Sequence, residues 1–197
     1  MAPWVLVIYA TTDGHTAKIA TEIAQTLRNQ EIAVTLVNAA SQRMRDPLPY
    51  SAVIVAASVH AGRFQRSVRQ WARRHRKVLA SRPSAFVGVC LAIVNHSPAV
   101  DAEIKTVLDR FVRDTGWTPS EIKIVAGALK YTQYGWLKRW MIRRIVAAHG
   151  GDIDTSRDYE YTDWDDLRAF ARRFAGESRG MSGEEPQSPA VAADGVR

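Results

Sequence analysis

The sequence is poor in cysteine and in long apolar segments. Its 197 residues include one cysteine, Cys90, so an internal disulfide is excluded and a reducing compartment is expected. No apolar run reaches the roughly 18–20 residues that a membrane-spanning helix needs. The composition, 46% hydrophobic and 24% charged, is typical of a globular protein. The length therefore predicts one domain with a substantial core.

Signatures of metal, hydrolase and nucleotide sites are also missing. The five histidines are scattered without the spacing of metal ligands, and we predict no metal site. A Gly-x-Ser-x-Gly nucleophile motif is absent. So are the Gly-x-x-x-x-Gly-Lys loop of nucleoside triphosphatases and the Gly-x-Gly-x-x-Gly fingerprint of dinucleotide sites. A redox or transfer reaction in this chain would therefore depend on a bound cofactor.

Acidic residues are missing from two long stretches, which concentrates the net charge of +7. The first stretch lies between Asp46 and Asp101, and the second runs from Ala128 to His149. Basic surfaces attract phosphates, carboxylates, anionic lipids or nucleic acid, although a solvated helix face is the plainer explanation of either stretch. The cations of the two stretches are Arg63, Arg66, Arg69, Arg73, Arg74, Arg76, Lys77 and Arg82, then Lys130, Lys138, Arg139, Arg143 and Arg144.

Five apolar, β-branched segments alternate with segments of helical spacing. This alternation predicts an α/β fold, a doubly wound five-stranded parallel sheet of flavodoxin-like order with both faces covered. The predicted strands are Val5–Tyr9, Ala33–Val37, Ala52–Ala57, Ser84–Cys90 and Glu121–Ala126. The predicted helices are Thr16–Asn29, Phe64–Leu79, Pro98–Thr115 and Trp164–Phe174. Ligands of such sheets bind at the carboxyl ends of the strands.

The first strand leads through a hydroxyl-rich turn into a helix. Free backbone N–H groups and the helix N-terminus favour an anion there, and the threonine hydroxyls add donors without charge. A phosphate held in this way is typical of a flavodoxin-type FMN site, whereas a helix capped by Thr12 or Asp13 is the structural alternative. The predicted phosphate loop consists of Thr11, Thr12, Asp13, Gly14, His15 and Thr16.

Two further loops follow the third and fourth strands, where a flat ring could lie between them. His60 and His96 are weak candidates for catalysis, because either could bond to flavin or substrate or be an ordinary loop histidine. Arg63 could clamp a carboxylate, or it could belong to the first turn of a basic helix. The predicted cofactor contacts of these loops are Ser58, Val59, His60, Ala61 and Gly62, then Cys90, Leu91, Ala92 and Asn95.

A long insertion, about residues 127–163, separates the fifth strand from the last helix. Its aromatic content argues against disorder, and Trp136–Ala148 has the pattern of a basic amphipathic helix. Such a helix could lie on an anionic membrane surface or pack on the domain. The flavodoxin-like domain is assigned to residues 1–175, and residues 176–197 are expected to form a disordered tail.

From Val5 to Phe174 the sequence resembles the flavodoxin-like, menaquinone-dependent protoporphyrinogen IX dehydrogenases of bacterial haem biosynthesis. The resemblance is strongest at Ala126–Tyr131, with Trp136, Arg139 and Met141 behind it. It also rests on these segments: Thr11–Thr16, Ala57–Gly62, Pro83–Phe86, Gly150–Asp152, Asp154–Thr155 and Tyr161–Trp164.

The resemblance implies FMN as cofactor, oxidation of protoporphyrinogen IX to protoporphyrin IX, and a membrane quinone as acceptor. It further implies a peripheral protein on the cytoplasmic side of the inner membrane. A tetrapyrrole with two propionates suits nearby basic residues, and a quinone acceptor suits a basic amphipathic helix. The predicted substrate or membrane contacts are Arg63, Lys130, Trp136, Arg139, Trp140 and Arg143.

The sequence departs from the flavodoxin pattern at one position and leaves alternative functions open. Asp13 stands where flavodoxins commonly have Thr, and we expect its carboxylate to turn from the phosphate and cap the helix. A flavodoxin-type electron carrier is the alternative function, although such carriers are usually acidic. A nucleic-acid module using the Phe64–Lys77 helix has only its charge in favour, so no nucleic acid is expected. The oligomeric state is left open, a homo-oligomer included.

Overall fold

The computed structural model describes residues 3–41, 45–91, 97–129 and 159–180. Its centre is a sheet of five parallel strands in the order β2-β1-β3-β5-β6, with the short β4 paired to β3. This is the predicted flavodoxin-like order. The topological switch point of the sheet lies between β1 and β3. The strands are β1 Trp4–Ala10, β2 Ala33–Asn38, β3 Ala52–His60, β4 Arg63–Phe64, β5 Ser84–Cys90 and β6 Glu121–Ala126.

Two helices cover each face of the sheet, which confirms the doubly wound α/β prediction. Helices α1 and α4 pack on one face around Ile23 and Phe170, and α2 and α3 pack on the other around Trp71 and Phe111. Most residues of the inner strands β1, β3 and β5 are buried whichever face they point to, which explains why these strands are apolar, whereas β2 and β6 at the edges are partly exposed. The helices are α1 His15–Arg28, α2 Arg66–Ala80, α3 Pro98–Thr115 and α4 Trp164–Gly180.

The third strand is longer than predicted. Ser58, Val59 and His60, predicted as a loop, continue β3. Ser58 still pairs with β5, whereas Val59 and His60 pair antiparallel with Phe64 and Arg63 of β4. The pairing supplies hydrogen-bond partners that a free loop would lack. The connection is a two-residue turn, Ala61-Gly62, with φ of 48° and 68°. A turn with positive φ at both central residues matches the twist of a hairpin.

The last helix is also longer than predicted, because it continues to Gly180. Residues 176–180 therefore do not belong to a disordered tail. Ser178 is fully buried and donates a hydrogen bond to the Ala175 carbonyl, and Arg179 bonds to the Gln30 carbonyl beyond α1. These tertiary contacts outweigh the helix-breaking tendency of Gly176. Residues 181–197 lie outside the described ranges.

The two ends of the insertion meet at its base. Strands β7 (Ala128–Leu129) and β8 (Tyr159–Glu160) pair antiparallel, directly after β6. The Tyr161 N–H donates to the Gly127 carbonyl at 3.2 Å. The insertion thus leaves and re-enters the domain at the carboxyl edge of the sheet. The predicted helix Trp136–Ala148 lies outside the described residues, among which no helix has the length and apolarity to cross a membrane.

Candidate functional site

The carboxyl ends of β1, β3, β5 and β6 form one edge, where the predicted site residues meet. The register pairs Ala10 with Ala57 and Ala57 with Gly88, so Thr11, which follows β1, lies beside Ser58 of β3. Next along the edge, Cys90 pairs with Ala126. The chain is closely packed at Gly88, where an added Cβ would lie 2.9 Å from Ile124 Cδ1 and 3.2 Å from Phe64 Cζ, so a larger residue would displace these side chains. The edge therefore unites the loops after the first, third, fourth and fifth parallel strands.

The loop after β1 leads directly into the start of α1. Helix α1 begins at His15 behind Gly14, whose φ of 81° is left-handed and favours glycine. Its first turn contains no acidic residue. The Thr11 hydroxyl oxygen is buried without a hydrogen-bond partner within the described structure. A buried hydroxyl beside a helix N-terminus fits an anion, which accepts hydrogen bonds from both.

Two residues of this loop differ from their expected roles. The N-cap position is occupied by Gly14 and not by Asp13, which lies one residue before it. The cause is the left-handed glycine, which places the chain turn one residue later than predicted. His15 is 7% exposed, and its ring turns inward to Thr162. A contact between His15 and the cofactor stays a prediction, but the His15 side chain already bonds to Thr162.

A buried bridge joins the start of α1 to the end of β6. His15 Nε2 lies 2.7 Å from the Thr162 hydroxyl oxygen, which donates its hydrogen to the Ala126 carbonyl at 2.7 Å. Because the hydroxyl proton goes to Ala126, His15 Nε2 is the donor to Thr162. Thr162 is 9% exposed and follows β8. The phosphate loop is thereby fixed to the base of the insertion.

A charged cluster reinforces this bridge at the surface. Lys18 Nζ donates to both carboxylate oxygens of Glu160 at 2.9 and 2.8 Å, and the Trp164 indole donates to Oε1 at 2.8 Å. Lys18 also lies 4.8 Å from the centroid of the Trp164 ring. The hydrogen bond from Lys18, followed by that from Trp164, lowers the pKa of Glu160. Helix α1, β8 and the start of α4 therefore form one connected group.

The β3–β4 hairpin presents polar side chains at the same edge. Gln65 bonds to Ser58 twice, accepting from its backbone N–H at 2.9 Å and donating to its hydroxyl. The Ser58 hydroxyl oxygen lies 3.3 Å from His60 Nε2. His60 and Arg63 are exposed and face each other across the hairpin, and Arg110 donates to the Gly62 carbonyl at 3.3 Å. The hairpin is thus held on both sides while its tip faces solvent.

The described residues contain part of the remaining predicted site. Cys90 ends β5 and Leu91 follows it, both partly exposed at the edge. The other predicted residues, Ala92, Asn95, His96, Lys130, Trp136, Arg139, Trp140 and Arg143, lie outside the described ranges. Within those ranges no cluster of three His, Cys, Asp or Glu could hold a metal.

Sequence reasoning missed three residues that organise the site: Gln65, Glu160 and Thr162. Gln65 is separated from Ser58 by a hairpin that the pattern did not predict. Thr162 and Glu160 are 147 and 142 residues from their partners on α1, so no local spacing connects them. The Tyr161–Trp164 segment was noticed as part of the resemblance, which was the available signal.

Comparison with known proteins identifies the family to which this chain is similar. The family model described as "Flavodoxin domain" matches residues 6–156. A protoporphyrinogen IX dehydrogenase [quinone] of Escherichia coli K12 is 31% identical over 172 residues, covering 86% of this chain and 93% of that protein. A protein of the same name from Leishmania major is 30% identical over 175 residues, covering 88% and 75% respectively.

Solved structures share the fold at low sequence identity. Oxidised flavodoxin 1 of Bacillus cereus superposes with a TM-score of 0.54 and 16% identity, covering 88% of this chain and 97% of its own. Flavodoxin 2 of the same organism gives a TM-score of 0.53 and 16% identity, covering 87% and 97%. These likenesses establish the flavodoxin-like fold.

Proposed function

We propose that the protein oxidises protoporphyrinogen IX to protoporphyrin IX with bound FMN and passes the electrons to a membrane quinone. The premise is its family: the chain belongs to the flavodoxin-domain proteins that include the quinone-dependent protoporphyrinogen IX dehydrogenases, which are oxidoreductases. The reaction would be a late step of haem biosynthesis. The protein would act as a peripheral protein on the cytoplasmic side of the inner membrane, where its acceptor is located.

The observation that carries the cofactor assignment is the buried Thr11 hydroxyl beside the uncapped start of α1. This pairing fits a phosphate, which accepts hydrogen bonds from a hydroxyl and from first-turn N–H groups together. Thr12 and Thr16 flank the same turn with further hydroxyls. Bound FMN supplies the capacity to take up hydride or single electrons. The residues of the edge fit this group, with Thr11 to Thr16 holding its phosphate.

The chain's own side chains would then bind and orient the substrate. The hairpin tip brings exposed His60 and Arg63 to the edge, where Arg63 could pair with a propionate. His60, 3.3 Å from the Ser58 hydroxyl, is positioned to exchange a proton with a reacting substrate. The insertion rises from the same edge and carries basic residues that would receive the second propionate or lipid phosphates.

Anaerobic turnover tests the proposal directly. The purified protein is incubated with protoporphyrinogen IX, with and without a menaquinone analogue, and porphyrin fluorescence is followed. We expect fluorescence to rise only when quinone is present. A protein that contains flavin but oxidises no porphyrinogen would instead be a flavodoxin-type carrier.

Thr11→Val tests the cofactor site by itself. Valine keeps the size of threonine and removes a hydroxyl that has no partner in the described structure. We therefore expect the FMN-free protein to be at least as stable as the wild type, while FMN binds less tightly by about ten-fold, the effect of losing about 1.4 kcal/mol. Equal FMN affinity in titrations of flavin fluorescence would remove Thr11 from the site.

A further inference from the structure

Helix α2 carries most of the excess positive charge of the protein. Its 15 residues include six cations and no carboxylate, whereas the net charge of the whole chain is +7. Each of the other three helices contains acidic residues: Glu22 in α1, Asp109 and others in α3, and Asp165 and others in α4. Among the helices of the described residues, α2 is therefore the one whose positive charge is not offset by its own carboxylates.

The cations of α2 form a line on its outer face. Val68, Trp71 and Leu79 are buried against the sheet, and Arg66, Arg73 and Lys77 occupy the opposite side at helical spacing i, i+7 and i+11. At 1.5 Å per residue this line extends over about 16 Å. Arg74 and Arg76 flank the line and are exposed as well.

These five cations are not neutralised by carboxylates of the described residues. The α2 cation that does form an ion pair is Arg69, which contacts Asp114 at 3.0 Å from the side of the helix facing α3. Exposed Arg63, just before the helix, extends the positive surface to the hairpin of the candidate site. Counterions or an anionic partner must balance this surface.

We propose that the outer face of α2 docks the protein on an anionic lipid bilayer. The proposal rests on the proposed function, in which the electron acceptor lies in a membrane. A straight row of cations on a convex helix fits a flat layer of lipid phosphates. The face lacks exposed aromatic residues for stacking on nucleic-acid bases, since the large exposed hydrophobic residues of the described structure are Trp4, Leu48 and Ile122.

The docking is electrostatic and does not insert side chains into the bilayer. Because Trp71 is fully buried, α2 has no apolar anchor to offer to the acyl region. Arg63 and Arg66 lie at the end of the face nearest the β3–β4 hairpin, so docking brings the site edge next to the lipid headgroups. A quinone headgroup at the membrane surface would then be close to the site.

Vesicle co-sedimentation of the full-length protein tests this face. The vesicles contain phosphatidylcholine either alone or mixed with phosphatidylglycerol. We expect binding to the mixed vesicles at low salt, and its loss at high salt or with phosphatidylcholine alone. The triple variant Arg66→Gln, Arg73→Gln, Lys77→Gln should bind about 100-fold more weakly, since each cation near an anionic surface contributes about five-fold.

The matched control is Arg28→Gln, Arg113→Gln, Arg172→Gln, which removes the same charge from exposed positions of α1, α3 and α4. It should retain binding within a few-fold. The single variant Arg73→Gln removes one positive charge and should weaken binding about five-fold. The double variant Arg66→Lys, Arg73→Lys keeps the charge and should retain binding.

The proposal is overturned if the α2 triple variant and the control bind mixed vesicles equally. It is also overturned if a short DNA duplex binds more tightly than the vesicles with the same dependence on Arg66, Arg73 and Lys77. The assay uses no porphyrinogen and no quinone. Vesicle binding by a protein that oxidises no porphyrinogen would thus refute the proposed function alone.

Discussion

Replacing Thr162 with valine should loosen the phosphate loop from a distance. The Thr162 hydroxyl receives a hydrogen bond from His15 Nε2 and donates one to the Ala126 carbonyl, both at 2.7 Å, the first buried and the second partly buried. Valine has almost the same shape as threonine, so the substitution removes these two bonds without creating a cavity. The His15 ring and the Ala126 carbonyl then lack the partner that replaced water when the chain folded.

The expected cost follows from those two groups. Leaving a buried polar group unsatisfied costs about 1–3 kcal/mol, and we take about 2 kcal/mol for the pair because the ring and the carbonyl can relax. For a domain of this size the melting temperature should fall by about 4–8 °C. If about 1.4 kcal/mol of this free energy normally holds the start of α1 in place, FMN should bind about ten-fold more weakly.

Thermal unfolding of the FMN-free protein and FMN titration measure the two effects. Thr21→Val is the matched control, because the Thr21 hydroxyl bonds the Ala17 carbonyl at 2.8 Å on the exposed side of the same helix. The control should stay within about 0.5 kcal/mol of the wild type. Thr162→Ser should restore both quantities. If Thr162→Val behaved like Thr21→Val, the bridge would not stabilise the loop.

Three further changes test other contacts. Ala61→Gly should raise the melting temperature by about 2–4 °C, since a left-handed alanine at φ 48° costs about 1 kcal/mol; an unchanged temperature would mean that the turn is not strained. Burial lowers the pKa of His75 below its ordinary 6.5, so the folded protein binds fewer protons than the unfolded chain, and the stability present above pH 6.5 should decline on acidification. His75→Gln should flatten a series of melting temperatures below that pH, and an unaltered slope would contradict the reasoning. The hydrogen bond from Lys18 lowers the pKa of Glu160 below 4.5, so its contribution is present above that pH and lost as pH falls, and Glu160→Gln should reduce this acid sensitivity in unfolding experiments.

The strands of the sheet were predictable because both of their faces are buried. Residues such as Val5, Ile8 and Val55 are fully buried whichever way they point, so the sequence shows unbroken apolar runs. The ends of elements were less predictable. Ser58 and His60 are polar and read as a loop, and the Ala61-Gly62 turn lacks the Asn-Gly or Asp-Gly pair that usually marks a hairpin. Here tertiary contacts with Gln65 and Arg110 stabilise a turn that local sequence does not favour.

Some features of the candidate site were likewise predictable from the sequence, and others were not. The strand, turn and helix start around the predicted phosphate loop were predictable because they are consecutive, and one local pattern describes them all. The role of His15 was not, since its partner Thr162 is 147 residues away and neither residue is unusual by itself. The same holds for Lys18 and Glu160, which read as ordinary surface charges on separate elements. Long-range pairs of this kind require the fold before they can be recognised.

The pairs His15–Thr162 and Lys18–Glu160 connect the base of the insertion to the start of α1. The insertion starts after β6 and returns through β8, and its return strand is bonded to the first turns of α1 by Glu160 and Thr162. The segment with the strongest family resemblance is therefore attached to the helix that would hold the cofactor phosphate. A displacement of the base of the insertion would act on the start of α1 through Glu160 and Thr162. Because of these contacts, we expect the candidate cofactor site and the base of the insertion to gain or lose stability together. Two independent loops on the same sheet would not be coupled in this way.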